Sequence, residues 1–285
     1  MAQLKPVLFG IDGNWYWHRV WNILQQRIDS VQNVGVSMGY SLLSKICVDA
    51  LAVKANQLAV FFDGGSIFRY ELYDKYKESR GDNGVVYEVL GEVMVFLDRC
   101  GIAVMQDKRL EADDFLCSLG HRYAPTHRVV IGTKDKDSFQ YLQPSVRLYD
   151  STFKIKGVPS PRYFTHLDVE EKLGLPPSLM IQYQALIGDG IDDIPKIITP
   201  AVARKGLLKY GSIKNWCAND PEIKSTLEDH RGTLAINRKL VTLLPDCLPP
   251  DFEPQAIRKW DNQSLPKNYF NLVDFMHPKG KGLFR

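Results

Sequence analysis

Acidic side chains follow several apolar segments of this sequence, each at a point where a buried strand or a loop would end. They are Asp12, Asp63, Glu111, Asp113, Asp114, Asp135, Asp137, Asp189 and Asp192. Carboxylates brought together at one edge of a sheet would repel one another and raise one another's pKa unless cations neutralised them. Carboxylate oxygens favour hard cations such as Mg²⁺ or Mn²⁺ over zinc. Two such ions about 4 Å apart would clamp the attacking and leaving oxygens of a phosphodiester, so the set predicts metal-assisted hydrolysis.

Each acidic segment taken alone has a structural interpretation that needs no metal. An Asp-Gly pair after a strand usually forms a turn, LEADD is typical of the acidic first turn of a helix, and DKD is typical of a solvated loop. Only the co-occurrence of the segments favours a metal site. Two other phosphate chemistries are disfavoured. Asp12 is followed by Gly13 and Asn14, without the D-x-D pair of haloacid-dehalogenase-type phosphotransferases, and no G-x-x-x-x-G-K-[ST] segment indicates a P-loop.

The elements that must position these residues alternate between strands and helices. Residues 7–11 and 58–62 are short apolar segments that end at Asp12 and Asp63, and residues 35–56 have the spacing of a crossover helix between them. Further strands are predicted at 102–106 and 128–132, an edge strand at 146–150, and a helix at about 111–123. This alternation predicts an α/β fold with a mostly parallel central sheet flanked by helices, whose ligands gather at the carboxyl ends of the strands.

Two regions depart from this alternation. Residues 66–90 are charged, aromatic and poorly periodic, which is typical of an excursion from the sheet. In the second half of the chain, an amphipathic helix at 178–187 is followed by a loop and by another helix, which opens at Thr199-Pro200 and ends near Gly211. The last ~40 residues are less regular and are expected to form a draped tail.

The composition is that of an ordinary folded protein. Of the 285 residues, 45% are hydrophobic and 24% are charged, which excludes collagen-like and wholly disordered chains. The net charge of +3 is too balanced to prove a polyanionic partner, and the five cysteines include no C-x-x-C pair that would indicate a zinc site. No segment approaches the ~20 apolar residues that span a bilayer, and an aspartate precedes any apolar core of signal-peptide length. We expect a cytoplasmic protein without membrane contact.

Together, these segments resemble the 5′ nucleases, the family of flap endonucleases, phage 5′-to-3′ exonucleases and the N-terminal nuclease domain of bacterial DNA polymerase I. The matching segments, in the family's order and spacing, are IDGNWYWHR (11–19), VFFDGG (60–65), KYKESR (75–80), LEADD (110–114), GTKDKDSFQ (132–140), ALIGDGIDDIP (185–195), LLKYGSIKNW (207–216) and RKLVTL (238–243). The resemblance covers most of the chain, and it assigns all nine carboxylates to the metal site. It implies the PIN-like 5′ nuclease fold: an α/β core at 1–160 with a helical arch at about 66–100, then a helical DNA-binding region at 161–285 with a helix-loop-helix unit at about 178–211 and a C-terminal tail.

The resemblance also gives roles to residues of the arch. Lys77 and Arg80 match the family's Y-K-x-x-R motif, whose lysine and arginine act on the scissile phosphate, and three-residue spacing would put both on one helix face. Cations there would stabilise charge on a pentacoordinate phosphate, whereas a solvated charged helix is the structural alternative. Tyr70, Tyr73 and Tyr76 recur every third residue, so they either stack on unpaired bases or pack the arch onto the body.

Basic residues outside the arch are candidates for phosphate contacts. Arg19 follows the first metal aspartate and would meet a nearby phosphate, whereas a structural hydrogen bond is expected of His18. The helix-loop-helix unit resembles the family's duplex-binding module, in which backbone amides and a helix N-terminus grip phosphates. Its charge would come from Lys196, Arg204, Lys205 and Lys209. The family's Gly-Ile-Gly-Pro turn, where K⁺ binds, is replaced by residues 196–200 without glycine, which argues against close phosphate approach and against K⁺ there.

These features predict a divalent-metal-dependent hydrolase, a structure-specific 5′ nuclease that cleaves DNA at 5′ ends and 5′-flap junctions by a two-metal mechanism in replication or repair. We expect a free-standing, phage-type monomer in a bacterial or host cytoplasm that also removes RNA primers from RNA–DNA hybrids. A PIN-type ribonuclease shares the sheet and the acidic pocket, but the arch motif and the helix-loop-helix unit argue against it. The other alternative is a non-catalytic structure-specific DNA-binding protein, which would gain nothing from repelling carboxylates.

Overall fold

The computed structural model describes residues 5–24, 34–80, 84–100, 102–156 and 158–257. Its strands are β1 (Val7–Asp12), β2 (Gln57–Asp63), β3 (Val104–Asp107), β4 (Arg128–Gly132), β5 (Val146–Asp150), β6 (Lys154–Ile155), β7 (Val158–Pro159), β8 (Arg162–Phe164) and β9 (Gln255–Ala256). Its helices are α1 (Gly13–Leu24), α2 (Val34–Ala52), α3 (Ile67–Leu72), α4 (Gly84–Arg99), α5 (Ala112–Tyr123), α6 (His166–Leu173), α7 (Met180–Ile187), α8 (Pro200–Tyr210), α9 (Ile213–Asn219), α10 (Pro221–Asp229) and α11 (Arg231–Val241). Short 3₁₀ helices span Asp137–Tyr141 and Pro177–Leu179. Within these described ranges, every helix is too short or too polar to span a bilayer.

The central sheet has the strand order β3-β2-β1-β4-β5-β8, and its first five strands run parallel. β8 is antiparallel to β5, and β9 is antiparallel to the beginning of β2. The prediction of a mostly parallel sheet is confirmed. The expected edge position of residues 146–150 is wrong, because β8 pairs beyond them. Parallel pairing of β1 with β2 puts Asp12 opposite Phe61, so Asp12 and Asp63 leave the sheet at the same edge.

Helices cover both faces of this sheet. Val7, Phe9 and Ile11 pack with α1, α2 and α4 in one hydrophobic cluster, whereas Leu8 packs with α5, α7 and α8 in a second. Every residue of β1 is buried, since a parallel strand covered on both faces has no solvated side. This explains why the sequence of β1 is a continuous apolar segment rather than an alternating one.

The excursion predicted after β2 is shorter than the sequence indicated. α3 and the turns at 74–80, which we call the turn segment, lie outside the sheet. Residues 84–90, by contrast, begin α4, which packs against α2 and contributes Leu90 and Val93 to the first hydrophobic cluster. The packing of this apolar face against α2 draws α4 into the α/β body.

The expected helix-loop-helix unit consists of α7, the loop after it and α8. Thr199 caps α8, its hydroxyl accepting the Val202 N–H at 3.5 Å, and Pro200 occupies the first helical position. Gly211 ends the helix with a φ of 74°. After α11 the chain returns to the sheet and forms β9 beside β2. The rest of the expected tail, 258–285, lies outside the described residues.

Candidate active site

A cavity of about 460 Å³ opens where the carboxyl ends of β1, β2 and β4 meet the N-terminus of α5. Seven of the nine predicted carboxylates line it, namely Asp12, Asp63, Glu111, Asp113, Asp135, Asp137 and Asp192. The other side chains around it include Asn14, Trp15, His18, Lys77, Arg80, Tyr87 and Lys134. The parallel topology therefore gathers carboxylates that are far apart in sequence, as expected for the ligand-binding edge of an α/β sheet.

Side-chain hydrogen bonds fasten the strand ends that carry the first two carboxylates. Asn14 accepts the backbone N–H of Asp63 at 2.8 Å, so the start of α1 is tied to the end of β2. Asp12 accepts the hydroxyl of Thr133 at 2.8 Å, which ties β1 to the residue after β4. Asp63 accepts the N–H of Ala112 at 2.7 Å, at the first turn of α5. These bonds hold both carboxylates in place at the cavity that they line.

Asp114 does not line the cavity. Its carboxylate is fully buried and accepts two hydrogen bonds from the Arg69 guanidinium, at 2.7 and 2.8 Å, while Arg69 Nε donates to the Leu240 carbonyl at 3.0 Å. Successive residues of a helix point about 100° apart, so Asp113 faces the cavity while Asp114 faces the interior. The assignment of Asp114 as a metal ligand stays a prediction, and in this structure its carboxylate is the buried partner of Arg69.

Asp189 also lies outside this cavity. Its carboxylate pairs with Lys136 at 2.8 Å and accepts the Ile191 N–H at 2.9 Å. It lines a neighbouring cavity of about 260 Å³, which shares Asp137 with the first. The assignment of Asp189 to the metal site stays a prediction, and Asp192 is the acidic residue of this loop that lines the larger cavity.

Burial and mutual repulsion raise the pKa of most carboxyl groups in the cavity. Burial, followed by the charge of Asp63, raises the pKa of Asp12 to about 7. Burial, followed by the charge of Asp135, raises the pKa of Asp137 to about 7 and holds the pKa of Asp113 well above its ordinary range. Burial likewise raises the pKa of Asp63 and of Asp135. This concentration of poorly compensated negative charge favours binding of a cation.

The donor set fits a hard divalent cation, because its ligand atoms are carboxylate oxygens. Asp113 Oδ1 is buried without a hydrogen-bond partner, a costly state that a cation would relieve. As the side chains stand, no group of three or more His, Cys, Asp or Glu residues in the described ranges has a metal-binding arrangement. Lys77 pairs with Glu111, and Arg80 pairs with Asp192. Cation binding would therefore require these side chains to move.

Glu111 differs from the other carboxylates of the cavity. Burial alone would raise its pKa, but the positive charges of Lys77 and Arg69 outweigh burial and hold it at about 2.

Lys77 and Arg80 themselves do not lie on a helix. They belong to the turn segment, and Lys77 has a left-handed backbone with a φ of 56°. The prediction that Lys77 and Arg80 share one helix face is wrong. Their side chains reach the cavity because the turn segment packs beside it.

The family model of the 5′-3′ exonuclease N-terminal, resolvase-like domain matches residues 7–174, more than half of the chain. The chain belongs to this 5′-3′ exonuclease family. DNA polymerase I of Rhizobium leguminosarum is 30% identical over 286 aligned positions, which cover 94% of this chain and 27% of that protein. The thermostable DNA polymerase I of Thermus filiformis is 29% identical over 266 positions, which cover 90% of this chain and 30% of that protein. The chain thus spans about a third or less of the length of these relatives.

Solved structures of bacteriophage T5 nucleases share the fold. The D15 protein of bacteriophage T5, co-crystallised with metal ions, superposes with a TM-score of 0.69 at 19% identity, over 84% of this chain and 90% of that one. The T5 5′-exonuclease with bound zinc ions superposes with a TM-score of 0.67 at 20% identity, over 84% and 90% of the two chains. The expected 5′ nuclease fold is therefore confirmed.

In this 5′-3′ exonuclease family member, the three tyrosines near the turn segment differ in exposure. Tyr76 is 2% exposed, and its hydroxyl donates to Glu111 at 3.1 Å. Of the two alternatives for these tyrosines, packing against the body is the one that Tyr76 shows here. Tyr70 is 43% exposed and meets the Tyr76 ring edge-on, and Tyr73 is half-buried. Of the three, Tyr70 offers the most surface to a nucleic-acid base.

Some residues around the cavity were not singled out by the sequence. Trp15 and His18 lie three and six residues after Asp12 on α1, a helical spacing that could have placed them beside it. For His18 the sequence favoured a structural hydrogen bond over a contact with a nearby phosphate. It lines the cavity, and burial, followed by the charge of Arg80, lowers its pKa. Arg19 is half-buried outside the cavity lining, with its guanidinium 5.1 Å from the Trp15 ring centre. No local signal could have placed Tyr87 there.

The helix-loop-helix unit presents its basic residues away from the cavity lining. Lys196, Lys205 and Lys209 are exposed, and Arg204 is half-buried. In the turn at 196–200, the backbone amides of residues 197 and 198 donate to the Leu186 carbonyl at 3.0 and 3.1 Å. These two amides are therefore not available to a phosphate. The turn without glycines is therefore also one in which two backbone amides form hydrogen bonds within the protein.

Proposed function

We propose that this protein is a structure-specific 5′ nuclease that hydrolyses DNA phosphodiesters at 5′ ends and 5′-flap junctions with divalent cations. The observation that carries the proposal is the cavity in which seven carboxylates meet the basic side chains of Lys77 and Arg80. Membership of the 5′-3′ exonuclease family supports the reaction class. The T5 relatives of the same fold were crystallised with metal ions, and one of them with DNA, which supports both ligands.

The cations we propose are two ions of Mg²⁺ or Mn²⁺. Their ligands would come from the cavity carboxylates Asp12, Asp63, Glu111, Asp113, Asp135, Asp137 and Asp192. Bound cations would supply charge neutralisation and Lewis-acid activation for hydrolysis of the phosphodiester. The raised pKa values of Asp12 and Asp137 mean that these carboxyl groups give up protons when they become ligands.

Lys77 and Arg80 would bind the scissile phosphate. Both are donors at the rim of the cavity, and both now pair with carboxylates that are candidate ligands, Glu111 and Asp192. Once those carboxylates bind cations, the ammonium and the guanidinium can donate to the non-bridging oxygens of the phosphate instead. Charge-assisted donors of this kind stabilise the negative charge that develops during phosphoryl transfer.

The rest of the substrate would extend in two directions. The duplex would lie against the helix-loop-helix unit, with its phosphates near Lys196, Arg204, Lys205 and Lys209. The unpaired 5′ strand would pass the turn segment, where Tyr70 and Trp15 offer ring faces to bases and Arg19 offers a cation to a phosphate. We propose that the protein acts as a monomer, in replication or repair, on DNA and on RNA primers in RNA–DNA hybrids.

Digestion of end-labelled junctions tests the proposed function. With Mg²⁺, we expect cleavage of a 5′-labelled flap within about one nucleotide of the junction, because bases unstack most easily at junctions and ends. A 3′ flap of the same sequence, a closed duplex circle and a single strand of RNA serve as controls and should be cut far more slowly. Comparable rates on the two flaps would contradict the assigned polarity, and preferential cleavage of the RNA would favour a PIN-type ribonuclease.

Metal dependence separates a nuclease from a DNA-binding module. EDTA should abolish cleavage, and Asp135→Asn should lose cleavage while it retains flap binding, because Asp135 lines the cavity and not the duplex surface. Asp251→Asn, at an exposed aspartate, is the matched control and should cleave normally. Binding without cleavage by the wild type in Mg²⁺ and in Mn²⁺ would instead support the non-catalytic alternative.

A further inference from the structure

Asp193 lies where the loop between α7 and α8 contacts the turn segment. Its carboxylate accepts the backbone N–H of Ser79 at 2.8 Å, between Lys77 and Arg80 in sequence. The backbone of Asp193 is left-handed, with a φ of 57°, a conformation that glycine, asparagine and aspartate tolerate best. Asp193 does not line the acidic cavity, so none of the roles described so far accounts for it.

The loop that carries Asp193 is also held by contacts that do not involve the turn segment. Two backbone hydrogen bonds of 3.0 and 2.8 Å close it between residues 189 and 194. The buried side chain of Asn237, on α11, donates to the carbonyls of Ala185 and Pro195 at 3.0 and 2.7 Å. The loop is thereby fixed to α7 and α11, and it can serve as a support for the turn segment.

The charged contacts that now hold Lys77 and Arg80 would not survive cation binding. Their partners, Glu111 and Asp192, line the cavity and would become ligands under the proposed function. The contact between Ser79 and Asp193 lies outside the cavity and uses a carboxylate that is not a candidate ligand. Cation binding would therefore leave this attachment of the turn segment in place, together with the backbone N–H of Lys77, which donates to the Asp192 carbonyl at 3.0 Å.

We propose that Asp193 is a positioning residue that keeps Lys77 and Arg80 beside the cavity through the backbone amide of Ser79. This inference rests on the proposed function, since it concerns the placement of the two side chains that would bind the scissile phosphate. Asp193 itself touches neither the phosphate nor the cations. Its effect on the rate comes from restricting the turn segment to the conformation in which the side chains of Lys77 and Arg80 face the cavity.

Two substitutions separate the acceptor from the backbone. Asp193→Gly keeps the left-handed conformation and removes the acceptor, whereas Asp193→Asn keeps both a tolerated backbone and a side-chain oxygen that can accept the N–H. Asp251→Gly is the matched control. It removes an exposed aspartate beside Phe252, whose carbonyl accepts the hydroxyl of Tyr123 at the opposite end of α5 from the cavity.

The first measurement is hydrogen exchange of the Ser79 amide, resolved by NMR in the full chain without added metal, and it does not depend on activity. We expect Asp193→Gly to speed exchange of the Ser79 amide about tenfold, Asp193→Asn to stay within about threefold of wild type, and Asp251→Gly to leave it unchanged. Unchanged exchange in Asp193→Gly would overturn the contact. Equal acceleration in the Asn and Gly variants would overturn the role of the acceptor.

The second measurement is single-turnover cleavage of a 5′ flap in Mg²⁺, with the Kd for the same flap measured in Ca²⁺. Asp193→Gly should lower the rate constant about tenfold and change the Kd less than about twofold, while Asp193→Asn restores most of the rate. Faster exchange with an unchanged rate would overturn the positioning role. If the wild type fails to cleave, the proposed function and the rate part of this inference fail together, whereas exchange still decides the contact.

Discussion

At the scale of single residues, the Arg69–Asp114 pair shows how the protein stabilises charge away from the cavity. Both side chains are buried, at 1% and 0% exposure. We expect Arg69→Met to lower the free energy of unfolding by about 3–5 kcal/mol, because it leaves Asp114 buried without a counter-ion. Urea unfolding measures the loss. Arg109→Met is the control: Arg109 pairs with Glu71 at 2.8 Å, but both side chains are more than half exposed, so about 0–1 kcal/mol is expected. Equal losses would contradict the buried role of Arg69.

The raised pKa values of the cavity carboxyl groups predict how stability depends on pH without metal. Asp137 titrates near 7 in the folded protein, above the ordinary 3.8, so the folded state binds its proton more tightly than the unfolded state does. Its contribution to stability is complete below about pH 4 and is lost as the pH rises through 7. We therefore expect Tm to fall less between about pH 5.5 and about pH 8 in Asp137→Asn than in wild type. The difference between the two proteins is the measure, because the lowered pKa of His18 acts in the opposite direction.

Scanning fluorimetry with and without Mg²⁺ completes that test. Cations bind the ionised carboxylates, so Mg²⁺ should raise the Tm of wild type more at about pH 8 than at about pH 5.5. The Mg²⁺ effect should be smaller in Asp137→Asn at both pH values. If Mg²⁺ raised Tm more at the lower pH, this would contradict the proposed protonation of the cavity carboxyl groups in the absence of metal.

At the scale of elements, α5 connects the cavity to the C-terminal strap, which we define as residues 245–257. Ser118 on α5 is fully buried, and its hydroxyl accepts the N–H groups of Cys247 and Leu248 at 2.9 and 3.1 Å. We expect Ser118→Ala to cost about 1–3 kcal/mol in urea unfolding, because amides at a buried site lose their acceptor. Ser44→Ala is the control, since Ser44 only donates to the Tyr40 carbonyl of its own helix, and should change stability by less than about 0.5 kcal/mol.

At the scale of the whole molecule, the proposed function assigns the chemistry and the binding of duplex DNA to different parts of the chain. Lys77 lies at the cavity, whereas Lys205 and Lys209 are exposed on α8. We expect Lys77→Ala to lower the single-turnover rate at least about 100-fold with little change in duplex affinity. The double variant of Lys205 and Lys209 to Ala should weaken binding and reduce the slope of log K against log salt by about 2. Lys224→Ala, at an exposed lysine of α10, is the control and should change neither quantity. If the Lys77 and α8 variants behaved alike, this division would be wrong.

The sequence determined the parts of the site that follow from local chemistry. Continuous apolar segments predict β1 and β2, and their parallel pairing brings Asp12 and Asp63 to one edge, as the alternation of elements indicated. Thr199, Pro200 and Gly211 mark the ends of α8 because capping and left-handed termination depend on residue type. The strands and the helix ends depend on neighbours in sequence, and the parallel pairing follows from the alternation of strands and helices, so all of them could be predicted without the fold.

Only the tertiary structure decided which members of the acidic set share the cavity. Asp113 and Asp114 are adjacent and chemically identical, but helix geometry turns one toward the cavity and the other toward Arg69, which lies far away in sequence. Tyr76 is buried and donates a hydrogen bond to Glu111, whereas Tyr70 is exposed, although both belong to the same three-residue spacing. The contact between Ser79 and Asp193 joins residues that no periodicity relates. The direction of a side chain and its partners depend on how segments distant in sequence pack together. The local spacing of residues in a single sequence does not reveal this packing.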